Sequence, residues 1–123
     1  MIQIDYQDKR PLYEQITEKL QNLIVRGVLE VDTKLPSVRN FAIDLSINPN
    51  TIQRVYQELE RMGFIYTIKG RGNYVADESV WKSSERQNMK NELKQIVGRL
   101  IDLGITSEQL SDCINSIYKG ETE

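Results

Sequence analysis

No histidine occurs in the 123 residues, and Cys113 is the sole cysteine. The first absence removes the commonest general base, the usual nucleophilic triads and most zinc sites. The second rules out an intrachain disulfide and any multi-cysteine metal site. Apolar runs reach only a few residues, too short to span a bilayer. The opening stretch MIQIDYQDKR carries acids where a signal peptide places its apolar core, so the expectation is a cytoplasmic protein without membrane contact. Enzyme chemistry has little to work with. Glu58 and Glu60 stand two apart on a helical pattern and do not converge, and KGRG at 69–72 is too short for a phosphate loop. No catalytic residue, metal site or cofactor is expected; a small-molecule effector is left open.

Charge of one sign is also scarce overall. The formal net charge of −2 argues weakly against nucleic acid, but an electrostatic footprint is a property of a patch. Between Lys34 and Val75 six basic residues (Lys34, Arg39, Arg54, Arg61, Lys69, Arg71) meet three acids (Asp44, Glu58, Glu60), a local surplus of three. The acidic excess lies in the two flanks.

The hydrophobic pattern supplies the order of elements. RPLYEQITEKLQNLIVRG places Leu12, Ile16, Leu20, Leu23 and Ile24 at helical spacing, with Pro11 near the start and Gly27 past the end. LPSVRNFAIDLS follows, with Ser37 as N-cap and Val38, Phe41, Ala42 and Leu45 on one face. A turn of a few residues leads to INPNTIQRVYQELERMGF, whose Ile52, Val55, Tyr56, Leu59 and Met62 form a third stripe, stopped by Gly63. The period then changes. FIYTIK alternates, which puts Phe64, Tyr66 and Ile68 on one strand face; GRG makes a turn and NYVA a returning strand. Three helices followed by a hairpin is the order of a winged helix-turn-helix.

Within the third helix, Asn48 is the expected N-cap and Pro49 the first helical residue, a position whose N–H has no helical partner. With the apolar stripe inward, Asn50, Thr51, Gln53, Arg54 and Gln57 face out, and the first acid, Glu58, comes only after them. Amides match the major-groove edge of adenine, arginine that of guanine, and threonine a base acceptor or the thymine methyl. A recognition helix reads bases with its N-terminal part. The alternative is an ordinary solvated face. Arg39, in the first turn of the preceding helix, is a phosphate clamp or a surface ion pair. Lys69 and Arg71 flank Gly70 at the hairpin tip, where a wing meets backbone or minor groove.

These residues carry a family resemblance. LPSVRNFAIDLSINPNTIQRVYQELERMGFIYTIKGRGNYV, with PLYEQITEKLQNLIVRGVL before it, resembles the winged-helix domain of the GntR family of bacterial transcription regulators over about residues 9 to 76. The shared pattern is a Leu-Pro-Ser-x-Arg helix start, an Asn-Thr in the recognition helix, Leu-x-x-x-Gly-hydrophobic-Ile and a Gly-x-Gly wing. The resemblance implies operator binding as a dimer, with DNA contacts at Arg39, at Asn48, Asn50, Thr51 and Gln53, and at Lys69 and Gly70. Many members carry arginine just before the Asn-Thr; this chain has Pro49 there, a departure from the pattern that shifts weight for a guanine contact to Arg54. The recognition helix with the short tail resembles the YtrA-type subfamily, often linked to ABC transporter operons.

After Ala76 a polar connector, DESVWKSSERQN, is expected to precede two helical patterns. Met89, Leu93, Ile96, Val97, Leu100 and Leu103 form the first stripe and Leu110, Ile114, Ile117 and Tyr118 the second; Gly104 separates them, and Thr106 or Ser107 caps the second. Roughly 45 residues are too few for an independent core. The expected domains are therefore residues 1–77, a winged helix-turn-helix, and 78–123, a two-helix dimerisation tail in which an effector response would also sit. The fold class is mainly α with a small β-hairpin. The dimer face is assigned to Leu93, Ile96, Val97, Leu100, Leu110, Ile114 and Ile117, with packing on the same chain as the alternative. A hollow of at least about 300 Å3 is hard to build from this tail. Trp81 is read as an anchor or a crevice lining, and Cys113 as a buried inert thiol. The reading is thus a DNA-binding regulator, in its simplest form a repressor acting as a homodimer on palindromic double-stranded operator DNA. The alternative is a winged-helix module for protein contacts.

Overall fold

The computed structural model describes residues 2–121 and has the order α1 (Leu12–Val25), α2 (Val38–Leu45), α3 (Pro49–Arg61), β1 (Ile65–Ile68), β2 (Gly72–Val75), α4 (Glu78–Asp102) and α5 (Ser107–Tyr118). It divides into two compact units that meet between Ser83 and Ser84. The boundary expected at residues 77 and 78 coincides with the start of α4, and the first turns of that helix belong to the first unit.

In the first unit, Ile16, Leu20 and Ile24 of α1, Phe41 and Ala42 of α2, and Ile52, Val55, Tyr56 and Leu59 of α3 are buried together with Phe64, Ile65, Val75 and Trp81. Each helix contributes one stripe, which is why three short amphipathic segments suffice to close a core. Two buried polar residues of α1 are satisfied locally. The Gln15 amide donates to the Asp5 carbonyl at 3.0 Å and accepts the Asp5 N–H at 2.6 Å, pinning the N-terminal segment. The Thr17 hydroxyl donates to the Tyr13 carbonyl one turn back, at 2.6 Å.

The hairpin corrects one member of the expected strand face: Phe64 lies before β1, while Tyr66 and Ile68 stay on one face of it. β1 begins at Ile65, pairs antiparallel with β2 (Ile65 opposite Val75, Ile68 opposite Gly72) and buries Ile65, whereas Tyr66 and Ile68 are 36% and 39% exposed. Phe64 precedes the strand and is buried for a different reason: its ring stacks on Trp81 at 4.9 Å. Tyr66 instead stacks on its cross-strand partner Tyr74 at 5.5 Å, and its hydroxyl donates to Asp32 at 2.7 Å. Lys34 forms an isolated antiparallel bridge to Tyr74, so the hairpin gains a short third edge.

A second correction concerns residues 77–88. The expected polar connector is the start of α4, which runs without interruption for 25 residues. The Asp77 carboxylate accepts the Ser79 N–H at 3.0 Å, and hydrogen bonds from Ser79 hold its pKa below the usual carboxylate range. Trp81 then fixes that first turn, 6% exposed against Phe64, as an anchor within the first unit.

The second unit comprises the rest of α4 and α5. Thr106 and Gln109 form a capping box at the start of α5: the Thr106 hydroxyl accepts the Gln109 N–H at 3.1 Å, and the Gln109 side chain accepts the Thr106 N–H at 2.9 Å. The apolar stripes remain open to solvent in the single chain, with Leu93 at 49%, Ile96 at 45%, Ile114 at 38% and Ile117 at 68% exposed. Val97, Leu100 and Leu110 are half-buried. Between the two tail helices, Val97, Ile101, Ile105, Leu110 and Ile114 line an open crevice of about 330 Å3. Cys113 is exposed in the chain, so its expected burial is not seen. No helix among the described residues is long and apolar enough to cross a membrane.

Candidate nucleic-acid interface

The turn that presents α3 is short. Ser46 caps α2 in the left-handed conformation with φ of 56°, and the Ile47 N–H returns to the Ala42 carbonyl at 2.9 Å. Only Ile47 and Asn48 then precede Pro49. The Asn48 side chain accepts the Asn50 N–H at 2.8 Å, and Pro49 opens the helix at the position that needs no donor. The Asn48 side-chain oxygen is thereby committed to the cap, which leaves its NH2 group as the outward donor. At the start of α2, Ser37 caps by accepting the Asn40 N–H at 3.1 Å, which sets exposed Arg39 in the first turn.

α2 and α3 are locked by one buried tyrosine. The Tyr56 hydroxyl donates to the Pro36 carbonyl at 2.7 Å, and its ring lies 6.2 Å from that of Phe41. Burial raises the phenol pKa above the usual tyrosine value. The pair fixes the angle at which the outer face of α3 is offered. On that face Asn50, Gln53, Arg54 and Gln57 are exposed and Thr51 half-buried, and no acid occurs in the first turn. Arg61, by contrast, is bound to Glu58 at 2.7 Å.

The wing tip is made by Lys69, Gly70 and Arg71, all exposed, with the Arg71 N–H closing the turn on the Ile68 carbonyl at 2.9 Å. Gly70 has φ of 80° and Gly72 φ of 130°, backbone that side chains with a Cβ rarely adopt. Gly72 has a second reason to be glycine: a Cβ there would come within 3.0 Å of the Lys34 side chain, which lies across the hairpin. The wing is tied back to α3 through Thr67, whose hydroxyl donates to Glu60 at 2.6 Å and sits 2.7 Å from the Asn73 side chain.

The first unit thus brings Arg39, the α3 set and the wing tip into one fold, while the tail residues Leu93, Ile96, Val97, Leu100, Leu110, Ile114 and Ile117 belong to the second unit and form no part of it. Three features escaped the sequence reading. Lys34 adds a cation beside Gly72, Thr67 couples wing and helix, and Tyr13 of α1 lies under Arg54, whose guanidinium carbon is 3.5 Å from the ring centroid. Two of these left a trace in the sequence: Lys34 counts toward the basic surplus of residues 34–75, and Tyr13 falls beside the apolar stripe of α1.

Comparison with known proteins agrees with this geometry. The family profile described as bacterial regulatory proteins, gntR family, matches residues 12–75. The HTH-type transcriptional repressor YtrA of Bacillus subtilis (strain 168) is 37% identical over 119 residues, covering 95% of this chain and 92% of that protein. Among solved structures, a transcriptional antiterminator from Listeria monocytogenes EGD-e superposes with a TM-score of 0.78 at 32% identity, covering 96% of this chain and 90% of that one. A GntR family transcriptional regulator from Listeria monocytogenes does so with a TM-score of 0.75 at 35% identity, covering 92% and 98%.

Proposed function

This chain belongs to the GntR family of bacterial regulatory proteins, and on that premise we propose that it is a repressor which binds a palindromic operator as a homodimer. The observation that carries the reading is the exposed face of α3, where Asn50, Gln53, Arg54 and Gln57 stand without an acid in the first turn, flanked by Arg39 and by Lys69 and Arg71 at the wing tip. Amides and arginine are the side chains that discriminate base edges in the major groove, and the flanking cations and free helix N–H groups suit phosphate. Asn50, Thr51, Gln53 and Arg54 are assigned to base readout, with the Asn48 NH2 beside them. Arg39, Lys69, Gly70 and Arg71 are assigned to backbone positioning, and Lys34 joins them at the wing.

Dimerisation rests on the tail. A stripe of Leu93, Ile96 and Ile117 that stays exposed in one chain loses that surface when a twin covers it, giving a self-complementary two-fold interface with Val97, Leu100, Leu110 and Ile114. Two recognition helices would then fall about 34 Å apart, or a multiple of it, and call for a palindrome. Repression is the simplest output of occupying a promoter, and the relative YtrA carries the name repressor. Binding to chromosomal DNA puts the protein in the cytoplasm.

The test is fluorescence anisotropy with DNA from the upstream region of the gene, against scrambled DNA, across a series of salt concentrations. Tight binding that prefers a palindrome and weakens steeply with salt is expected, because each phosphate contact releases counterions. Lys69→Ala should weaken all sequences alike and reduce the salt slope by about one. Binding indifferent to sequence would refute specific operator recognition and turn attention to a protein partner.

A further inference from the structure

Tyr13 and Arg54 come from different helices and meet face to face, with the guanidinium carbon 3.5 Å from the ring centroid. Tyr13 stands half-buried at the start of α1. Arg54 lies one turn after Asn50 on the exposed side of α3, and the two residues share an open hollow of about 360 Å3 with Pro11, Leu12, Asn50 and Thr51. Two other arginines of this unit are committed to acids: Arg10 to Asp8 and Glu18, Arg61 to Glu58. Among the described residues no hydrogen bond or ion pair holds Arg54, so the ring contact is what orients it.

The chemistry of that contact is specific. A guanidinium over an aromatic face is attracted by the negative π-cloud, while its N–H donors lie in its own plane and are not consumed by the ring. The stack therefore removes rotamer freedom from a long side chain and leaves its donor edge for a bidentate acceptor. An arginine already held in one orientation loses less on docking than one that samples solvent.

We propose that Tyr13 is a positioning residue for base readout: it holds the Arg54 guanidinium so that its edge meets one guanine in each half-site. This rests on the assignment of Arg54 to base contact made above. A purely structural Tyr13, tying α1 to α3, would support every DNA contact equally and would not act on one base pair.

The experiment uses the full chain and the DNA site that the wild-type protein itself enriches from a random-sequence pool, with each base pair of a half-site substituted in turn. Binding is read by fluorescence anisotropy for the wild type, Arg54→Ala, Tyr13→Phe, Tyr13→Leu and the Tyr13→Leu/Arg54→Ala double variant. Arg54→Ala should abolish preference at one base pair. Tyr13→Phe, which keeps the ring, should retain it. Tyr13→Leu should reduce discrimination at that same base pair by about two- to fivefold, the range of an exposed cation–π contact, leave the other positions unchanged, and add nothing in the Arg54→Ala background.

Full discrimination by Tyr13→Leu at the base pair that Arg54→Ala abolishes would overturn the proposal and leave the arginine reading intact. An Arg54→Ala protein with every preference preserved would overturn both. Uniform weakening on all DNA by Tyr13→Leu would assign Tyr13 to helix packing and overturn the proposal as well. Should Tyr13→Leu fold poorly, phenylalanines of increasing ring fluorination at position 13 keep the shape and drain the π-face. Discrimination then falls stepwise with fluorination, and an unchanged value rejects the idea.

Discussion

The winged-helix unit and the tail dispose of their apolar side chains in opposite ways. In the first, Ile16, Leu20, Ile52, Val55 and Leu59 have no exposed surface at all, and Phe64 and Trp81 close the core over the hairpin. In the second, Met89 is 60%, Ile101 62% and Leu103 83% exposed in the single chain. Both stretches carry apolar residues at helical spacing in the sequence. The difference is that three short helices and a hairpin surround a common centre, whereas two helices offer a face and have nothing to enclose it. A stripe in the sequence therefore specifies that burial is needed, and only the number of elements around it says whether the chain can provide that burial alone.

Four variants probe this contrast. Ile52→Ala should have the largest effect, about 2–5 kcal/mol of the stability of the first unit, since the methylenes removed leave a cavity in a closed core; chemical denaturation followed by circular dichroism measures it. The paired change Leu100→Asp/Ile114→Asp should act on assembly and leave the core untouched. Sedimentation velocity should show a monomer, affinity for a full palindrome should fall roughly a hundredfold as the second half-site is no longer tethered, and the unfolding midpoint of the first unit should stay in place. A dimer that survives the double change would place the interface elsewhere.

Tyr56→Phe tests the lock between α2 and α3 at smaller scale. Loss of the hydroxyl that donates to the Pro36 carbonyl should cost about 1 kcal/mol at neutral pH. The folded-state pKa of Tyr56 is raised by burial, so its contribution is present below the ordinary value of 10.0 and declines as pH rises past it. The gap between wild type and Tyr56→Phe should accordingly narrow in denaturation experiments above that pH. Thr106→Ala should have the smallest effect. It removes one side of the capping box on α5, worth about 1 kcal/mol, and should appear as weaker self-association with the first unit unaffected.

Much of the candidate site was legible because local chemistry sets it. Ser37 and Asn48 act as caps, and Pro49 opens α3 without sacrificing a hydrogen bond. Gly63 and Gly70 take φ values of 85° and 80° where the sequence placed a stop and a turn. The outward set of α3 followed from one stripe of apolar residues at helical spacing. The illegible parts all depended on contacts distant in sequence. Phe64 read as the first member of a strand face, yet it lies before β1 and packs on Trp81, seventeen positions on (81 − 64), while Tyr66 and Ile68 keep the shared face the alternation gave them. Residues 77–88 read as a connector because their polar side chains show no stripe; the helix forms there because Asp77 caps it and Trp81 anchors it. Lys34 over Gly72 and Tyr13 under Arg54 have no sequence signature that names the partner.

The sequence by itself determined the helix starts and stops, the wing turn, the polar face of α3 and the capping box of α5, since each depends on residues within about one turn of one another. Tertiary structure alone decided that Phe64 is buried ahead of the strand, where the tail helix begins, and what holds Arg54. Those outcomes depend on which side chains from separate elements come to share a surface. Periodicity records that an apolar residue needs cover, and folding in three dimensions selects the residue that supplies it.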